Sequence, residues 1–268
     1  MSERQLNNSQ SHGVAKINAY FSDVKAKGHR FFVPYIVAGD GGFERLQEQI
    51  QLLEDSGVAA IELGIPFSDP VADGPTIQRA GMRALEQGVT LQKVLDFLTE
   101  TRSTRAVPIV LMTYFNPIYS LGVSEFAVAC ERSGVDGIIV PDIPMEEEDV
   151  LADALRIYNI AFIRLVAMTS TEERMQELAK RTEGFLYAVS VTGTTGARAK
   201  HDERVTDYLE KLASFSSVPV LAGFGVSNAK QARTLSSYCD GVIVGSTIVD
   251  MFHEGRDADV RALIEESL

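Results

Sequence analysis

The sequence has no tryptophan, only two cysteines and only four histidines among its 268 residues. Cys130 and Cys239 lie far apart and form no C-x-x-C pair, which argues against a disulfide framework and against a thiolate metal site. His12, His29, His201 and His253 do not cluster, and none follows a G-x-S-x-G elbow. Histidine-based nucleophilic catalysis and histidine metal sites therefore have little support. No apolar run approaches the ~20 residues needed to cross a bilayer. Residues 1–13 are polar, rich in Asn and Ser, and lack the apolar core of a signal peptide, so they read as a flexible terminus. With few cysteines and no such signal, a reduced, cytoplasmic setting is the expectation.

Positive charge is also short. Lys and Arg number 25 against 37 Asp and Glu, a net charge of −12. Nucleic acid and anionic membrane both need a basic face, so neither is expected as a partner. A phosphorylated small molecule stays possible, because backbone N–H groups at a helix N-terminus bind phosphate without basic side chains.

What is present is a repeat. Short, nearly continuous apolar runs begin near Phe31 (FFVPYIV), Ala59 (AAIELGI), Pro108 (PIVLMTY), Asp136 (DGIIVP), Ala161 (AFIRLVA), Gly184 (GFLYAVS), Val218 (VPVLAGF) and Gly241 (GVIVGS). This is the pattern of parallel strands buried on both faces. Between them lie segments of helical period: Phe43–Ser56, Leu91–Thr101, Ser124–Ser133, Glu146–Tyr158, Thr171 to about Arg181, Asp202–Phe215, Asn228–Tyr238 and Asp257–Glu266. Eight such units predict an α/β protein, a single (β/α)8 TIM barrel over residues 14–268. A doubly wound open sheet shares the alternation, but the eightfold count and the glycine-rich ends below favour the barrel. Three additions are expected: a helix over Val14–Gly28 before the first strand, one at Thr76–Leu85 in the long gap after the second, and a short one at Ser246–His253 after the eighth.

Chemistry in such barrels sits where strands end and loops begin. Glu62 lies inside an apolar strand, between Ile61 and Leu63. An isolated carboxylate is costly to bury, so it is either paired or hydrogen-bonded there, to a helix N-terminus or a Lys, or kept for proton transfer, and burial alone favours neither. Asp69 and Asp73 follow in a Pro/Gly-rich loop, where Asp-Pro and Asp-Gly are ordinary turn formers. Late in the chain, glycines recur at strand ends: Val191–Gly196, Gly223-Phe224-Gly225-Val226-Ser227, and Gly245-Ser246-Thr247. Loops after the seventh and eighth strands of many barrels hold phosphate, with glycine letting the backbone approach the oxygens.

The segment ELGIPFSDPVADGPTIQ closely resembles the tryptophan synthase α-subunit family. The likeness runs from Phe32-Val33-Pro34-Tyr35 to Gly245-Ser246. It takes in Leu111-Met112-Thr113-Tyr114-Phe115-Asn116-Pro117, Pro141-Asp142-Ile143-Pro144, Val191–Arg198 and Ala222–Ser227. The resemblance implies cleavage of indole-3-glycerol phosphate to indole and glyceraldehyde 3-phosphate, with Glu62 and Asp73 as the two catalytic carboxylates. It places phosphate contacts on Gly196, Gly225, Gly245 and Ser246, and the indole pocket on Tyr35, Met112, Tyr187, Thr195 and Phe224. It implies no cofactor in this chain. It also implies a β-subunit partner that carries pyridoxal phosphate, in an α2β2 assembly. Asp69 and Asn116, expected to be exposed on the same strand-end face, are the candidate contacts for it, the alternative being that they merely cap turns. Departures are few: Gly41 and Met168 replace common prolines, and Tyr35 stands where other members have Phe. Rival readings are another phosphate-binding barrel enzyme, a non-catalytic regulator, and a free-standing lyase that releases indole. Strand-end Lys, His or metal ligands would mark the first, and the pairing of Glu62 with Asp73 counts against the second.

Overall fold

The computed structural model describes residues 12–189 and 203–268. Its strands are β1 (Phe31–Val37), β2 (Ile61–Gly64), β3 (Ile109–Met112), β4 (Gly137–Ile139), β5 (Ala161–Phe162), β6 (Leu165–Ala167), β7 (Leu186–Val189), β8 (Val220–Gly223) and β9 (Gly241–Val244). Every pairing is parallel, in the order β5-β4-β3-β2-β1-β9-β8-β7-β6. The two ends of that order are halves of one run, AFIRLVA. β5 pairs with β4 and β6 with β7, so the sheet curls round and meets itself in a TIM barrel.

The break between β5 and β6 has a local cause. The Arg164 N–H is taken by the Thr182 hydroxyl at 3.0 Å instead of by a neighbouring strand. The Arg164 guanidinium points outward, lies 4.6 Å over the Phe162 ring and pairs with the buried Glu148 carboxylate at 2.9 Å. A buried charge is tolerable when it is paired and its donors are used. Here they are, on Glu148 and on the Phe162 and Arg181 carbonyls.

Helices alternate with the strands: α1 (Val14–Ala26), α2 (Phe43–Asp55), α3 (Pro75–Glu86), α4 (Leu91–Glu100), α5 (Phe115–Leu121), α6 (Val123–Ser133), α7 (Asp149–Ile157), α8 (Glu172–Arg181), α9 (Glu203–Phe215), α10 (Ala229–Leu235), α11 (Ser246–His253) and α12 (Asp257–Glu265). The three expected additions are α1, α3 and α11. A fourth, α5 after β3, was not anticipated.

α1 closes the barrel floor. Ile17, Phe21 and Val24, at the i, i+4, i+7 spacing of one helix face, join the interior cluster of Val33, Val110, Ile139, Phe185, Leu221 and Ile243. Phe21 stacks on Phe31 at 4.4 Å. Asp136, fully buried just before β4, holds the entry to this helix. It accepts from Gly13 N–H at 2.9 Å, Lys16 Nζ at 3.0 Å and Ile109 N–H at 3.0 Å, and lies 3.4 Å from His12 Nδ1. Residues 1–11 of the expected flexible terminus lie outside the described residues. His12 and Gly13, counted with them from the sequence, are instead tied to the floor of the barrel.

Candidate active site

At the opposite end, where the strands finish, is a cavity of about 280 Å³. The register sets Tyr35 of β1 beside Glu62 of β2, so both side chains enter this space from adjacent strands. Two residues on, Gly64 leaves room for the Tyr35 ring: a Cβ there would lie 2.0 Å from the Tyr35 hydroxyl oxygen. The same device recurs across the barrel, where a Cβ on Gly223 would lie 2.4 Å from the Tyr187 ring. Met112 and Ile243 complete the apolar wall.

Glu62 is fully buried, and among the described residues neither carboxylate oxygen has a hydrogen-bond partner. Burial, and then the charge of Asp73, push its pKa up to about 8. Asp73 stands in the loop between β2 and α3, where its N–H bonds the Pro70 carbonyl at 3.2 Å. Burial raises its pKa to about 6, against a hydrogen bond from Tyr114 that lowers it. Near neutral pH the pair therefore offers one protonated and one ionised carboxyl group facing one cavity, an arrangement suited to acid–base work.

The β8–β9 side of the cavity is built differently. Gly225 turns with φ 66°, in the left-handed region that favours glycine, and Gly245 leads into α11. The first N–H groups of that helix have no intrahelical partner. Among the described residues the buried Ser246 hydroxyl has none either. Thr247 holds the two loops together, donating to the Val226 carbonyl at 2.8 Å. Free N–H groups beside a glycine-rich turn are the kind of donors that suit an anion, and they lie at the end the sequence singled out.

Of the residues singled out from the sequence, Glu62, Asp73, Tyr35, Met112, Tyr187, Gly225, Gly245 and Ser246 all line this one cavity. Phe224 does not: it is buried with its ring 6.2 Å from Tyr208, outside the lining. Thr195 and Gly196 lie outside the described residues. Asp69 and Asn116 are exposed at the strand-end face, on the β2 loop and on α5. The sequence reading passed over Thr76 and Asp250, which line the mouth and meet at 3.2 Å, and gave Tyr114 no role. Polar residues at the start of a helix and acids on a helix surface are too common to have marked the first two. Among the described residues no group of three His, Cys, Asp or Glu side chains is placed to hold a metal ion.

A sequence model of the family described as tryptophan synthase alpha chain matches residues 21–267. A tryptophan synthase alpha chain from Oceanobacillus iheyensis is 56% identical over 256 residues, covering 96% of this chain and 98% of that one. One from Bacillus cereus is 47% identical over 253 residues, covering 94% and 96%. Among solved structures, tryptophan synthase of Mycobacterium tuberculosis matches with a TM-score of 0.87 at 33% identity, covering 96% of this chain and 97% of that one. A chain of the tryptophan synthase α2β2 complex of Pyrococcus furiosus matches with a TM-score of 0.81 at 37% identity, covering 88% and 97%.

Proposed function

The chain belongs to the tryptophan synthase alpha chain family, and from that membership and the cavity we infer that Glu62 and Asp73 carry the family's reaction. The protein is a lyase that cleaves indole-3-glycerol phosphate to indole and glyceraldehyde 3-phosphate, and its partner is the β subunit, which takes up the indole.

The reaction is a retro-aldol cleavage. Indole leaves poorly until C3 is protonated and the ring becomes an indolenine. Glu62, neutral below about pH 8, donates that proton. Asp73, ionised above about pH 6, accepts the N1–H hydrogen bond and offsets the positive charge that grows on the ring. The Glu62 carboxylate then takes the proton of the side-chain hydroxyl next to C3. As that O–H electron pair becomes a carbonyl, the carbon–carbon bond breaks and its electrons restore the indole ring. Glu62 ends protonated, as it began.

Tyr35, Met112 and Tyr187 give the aromatic ring an apolar seat. Gly225, Gly245 and Ser246, at the free N–H groups of α11, receive the phosphate. Gly196 and Thr195, outside the described residues, are assigned to the phosphate and to the indole side by the family likeness alone. Phe224 is assigned to the pocket on the same ground and lies behind its wall in this structure. None of these steps calls on a cofactor in this chain. Pyridoxal phosphate is assigned to the β subunit of an α2β2 assembly. Asp69 and Asn116 are read as contacts for that partner, supported by the exposed side chains of Val71 and Tyr119 beside them. Residues 14–268 are read as one domain, and the setting as the cytoplasm, in keeping with two buried, unpaired cysteines. Among the described residues no helix is long and apolar enough to cross a membrane.

The observation that carries the assignment is the pair of carboxyl groups, Glu62 and Asp73, lining one cavity, with both Glu62 oxygens buried and unpartnered among the described residues. Incubation with indole-3-glycerol phosphate, with and without the β subunit, releases indole. Glu62→Gln lowers that rate by at least about 10²-fold. Asp73→Asn lowers it strongly while inorganic phosphate still binds. Near-normal turnover in Glu62→Gln removes Glu62 from the mechanism, and loss of phosphate binding in Asp73→Asn makes Asp73 a loop-structure residue.

A further inference from the structure

The cavity that receives a phosphorylated substrate is short of positive charge. Among the described residues that line it there is no Lys, Arg or His, but there are three carboxyl groups, Glu62, Asp73 and Asp250. The mechanism uses the first two and leaves Asp250 without a task. Asp250 lies on α11, four residues after Ser246, so it shares a helix face with Ser246 about 6 Å further along the axis. Helical side chains lean toward the N-terminus, which carries this carboxylate over the turn whose free N–H groups face the anion. Its direction is fixed from across the mouth. Arg79 donates to the Thr76 hydroxyl oxygen at 3.1 Å, and a guanidinium cannot accept, so the single Thr76 proton goes to Asp250 at 3.2 Å. No cation pairs with Asp250 among the described residues. Arg83, on the same helix as Thr76, is engaged with Asp40 through two hydrogen bonds of 2.8 and 2.6 Å.

We propose that Asp250 sets the strength of the phosphate seat: its fixed negative charge repels the phosphate of substrate and product alike, and so speeds the release of glyceraldehyde 3-phosphate. The proposal rests on the phosphate seat assigned above to Gly225, Gly245 and Ser246. Substrate is held at two places, by its ring on the apolar wall and by its phosphate. Once the carbon–carbon bond has broken, the aldehyde phosphate keeps only the second. A helix N-terminus is a ready-made seat for a phosphate, and a seat that held it too firmly would make product release limit turnover. A like charge one helical turn away offsets part of that hold and leaves the ring untouched.

Asp250→Asn removes the charge and keeps an oxygen for the Thr76 proton. On the full chain, two sets of constants are measured in low salt and in about 1 M sodium chloride. They are the inhibition constants of inorganic phosphate and of glyceraldehyde 3-phosphate, and the KM and kcat of indole-3-glycerol phosphate cleavage. In low salt both anions bind the variant about three- to tenfold more tightly, and KM falls by a similar factor, as a like charge about 6 Å away requires. In high salt, where the screening length is about 3 Å, the difference falls below about twofold. Binding of indole, which carries no charge, does not change. Glu254→Gln makes the same change of charge just past the far end of α11, outside the cavity lining, and leaves both inhibition constants at their wild-type values. Inhibition constants that stay in place or weaken in Asp250→Asn overturn the proposal. So does an equal tightening in Glu254→Gln, or a kcat that rises in Asp250→Asn. Inorganic phosphate that fails to compete with substrate in the wild type and the variant alike refutes the phosphate seat itself, and the proposal falls with it.

Discussion

Glu62 is an expensive residue for the fold. A carboxyl group whose folded-state pKa lies above its unfolded value binds its proton more tightly when folded, so stability falls as pH rises. The unfolded value is about 4.3 and the folded one about 8, and the loss accumulates between them. Glu62→Gln removes this penalty. The variant is therefore expected to match the wild type near pH 4 and to exceed it at pH 8 by on the order of 4–5 kcal/mol. Urea unfolding at the two pH values checks this, and equal stability at both would show that the carboxylate is better solvated than its unpartnered oxygens imply. Asp136 has the opposite sign. Hydrogen bonds and the Lys16 charge outweigh burial and hold its pKa below the usual range. Its contribution is present above about pH 4 and is lost as pH falls through that depressed value. Two buried carboxyl groups, one at each end of the barrel, thus pull the pH dependence of stability in opposite directions, and the one without partners is the one proposed for the chemistry.

At the scale of the elements, the strand ends shape the cavity by what they omit. Gly64 and Gly223 carry no side chain where Tyr35 and Tyr187 cross. Gly64→Ala drives a methyl group into the Tyr35 side chain, which is expected to lower stability by about 1–3 kcal/mol and to displace Tyr35 from its place in the cavity wall. Thermal unfolding and KM measure the two effects, and adding Tyr35→Phe is expected to recover part of both; a Gly64→Ala protein with unchanged KM would show that the ring has another place to go. Much of this architecture was legible beforehand. The strands stood out as apolar runs, α11 from a single Gly-Ser step, and Glu62 from a charge inside an apolar strand. Asp73 was not legible in that way, since Asp-Gly before Pro75 reads as an ordinary turn, and only the family likeness raised it. Helix α5 escaped because seven residues with a proline among them show too little helical period. The directions of Phe224 and Tyr114 escaped because a side chain's partner depends on which neighbouring strand its rotamer faces, which the order of residues does not state.

For the molecule as a whole, the floor and the rim of the barrel divide stability from chemistry. Asp136 joins the entry of α1 to β3 and β4, and Asp136→Ala takes an acceptor from three donors at once: Gly13 N–H, Ile109 N–H and Lys16 Nζ, which keeps only the Val107 carbonyl. A loss of about 3–5 kcal/mol is expected, with cleavage of indole-3-glycerol phosphate nearly unchanged at low temperature where the chain is still folded. Denaturant unfolding together with a rate assay tests this, and an activity loss that outruns the stability loss would connect floor to rim. The ring of strands has a further consequence, for the order of events during synthesis. β1 is flanked by β2 on one side and by β9 on the other, through the register Phe31↔Gly241. A chain emerging from the ribosome can pair β1 through β5 one after another, but the far edge of β1 waits until residue 241 has been made. Until then the growing sheet exposes hydrogen-bonding groups along the strand that carries Tyr35, and an uncovered edge of buried-type residues invites pairing with other chains. The last strand to be translated is thus the one that covers the first, and the shielding of the nascent protein from aggregation depends on the final tenth of its length.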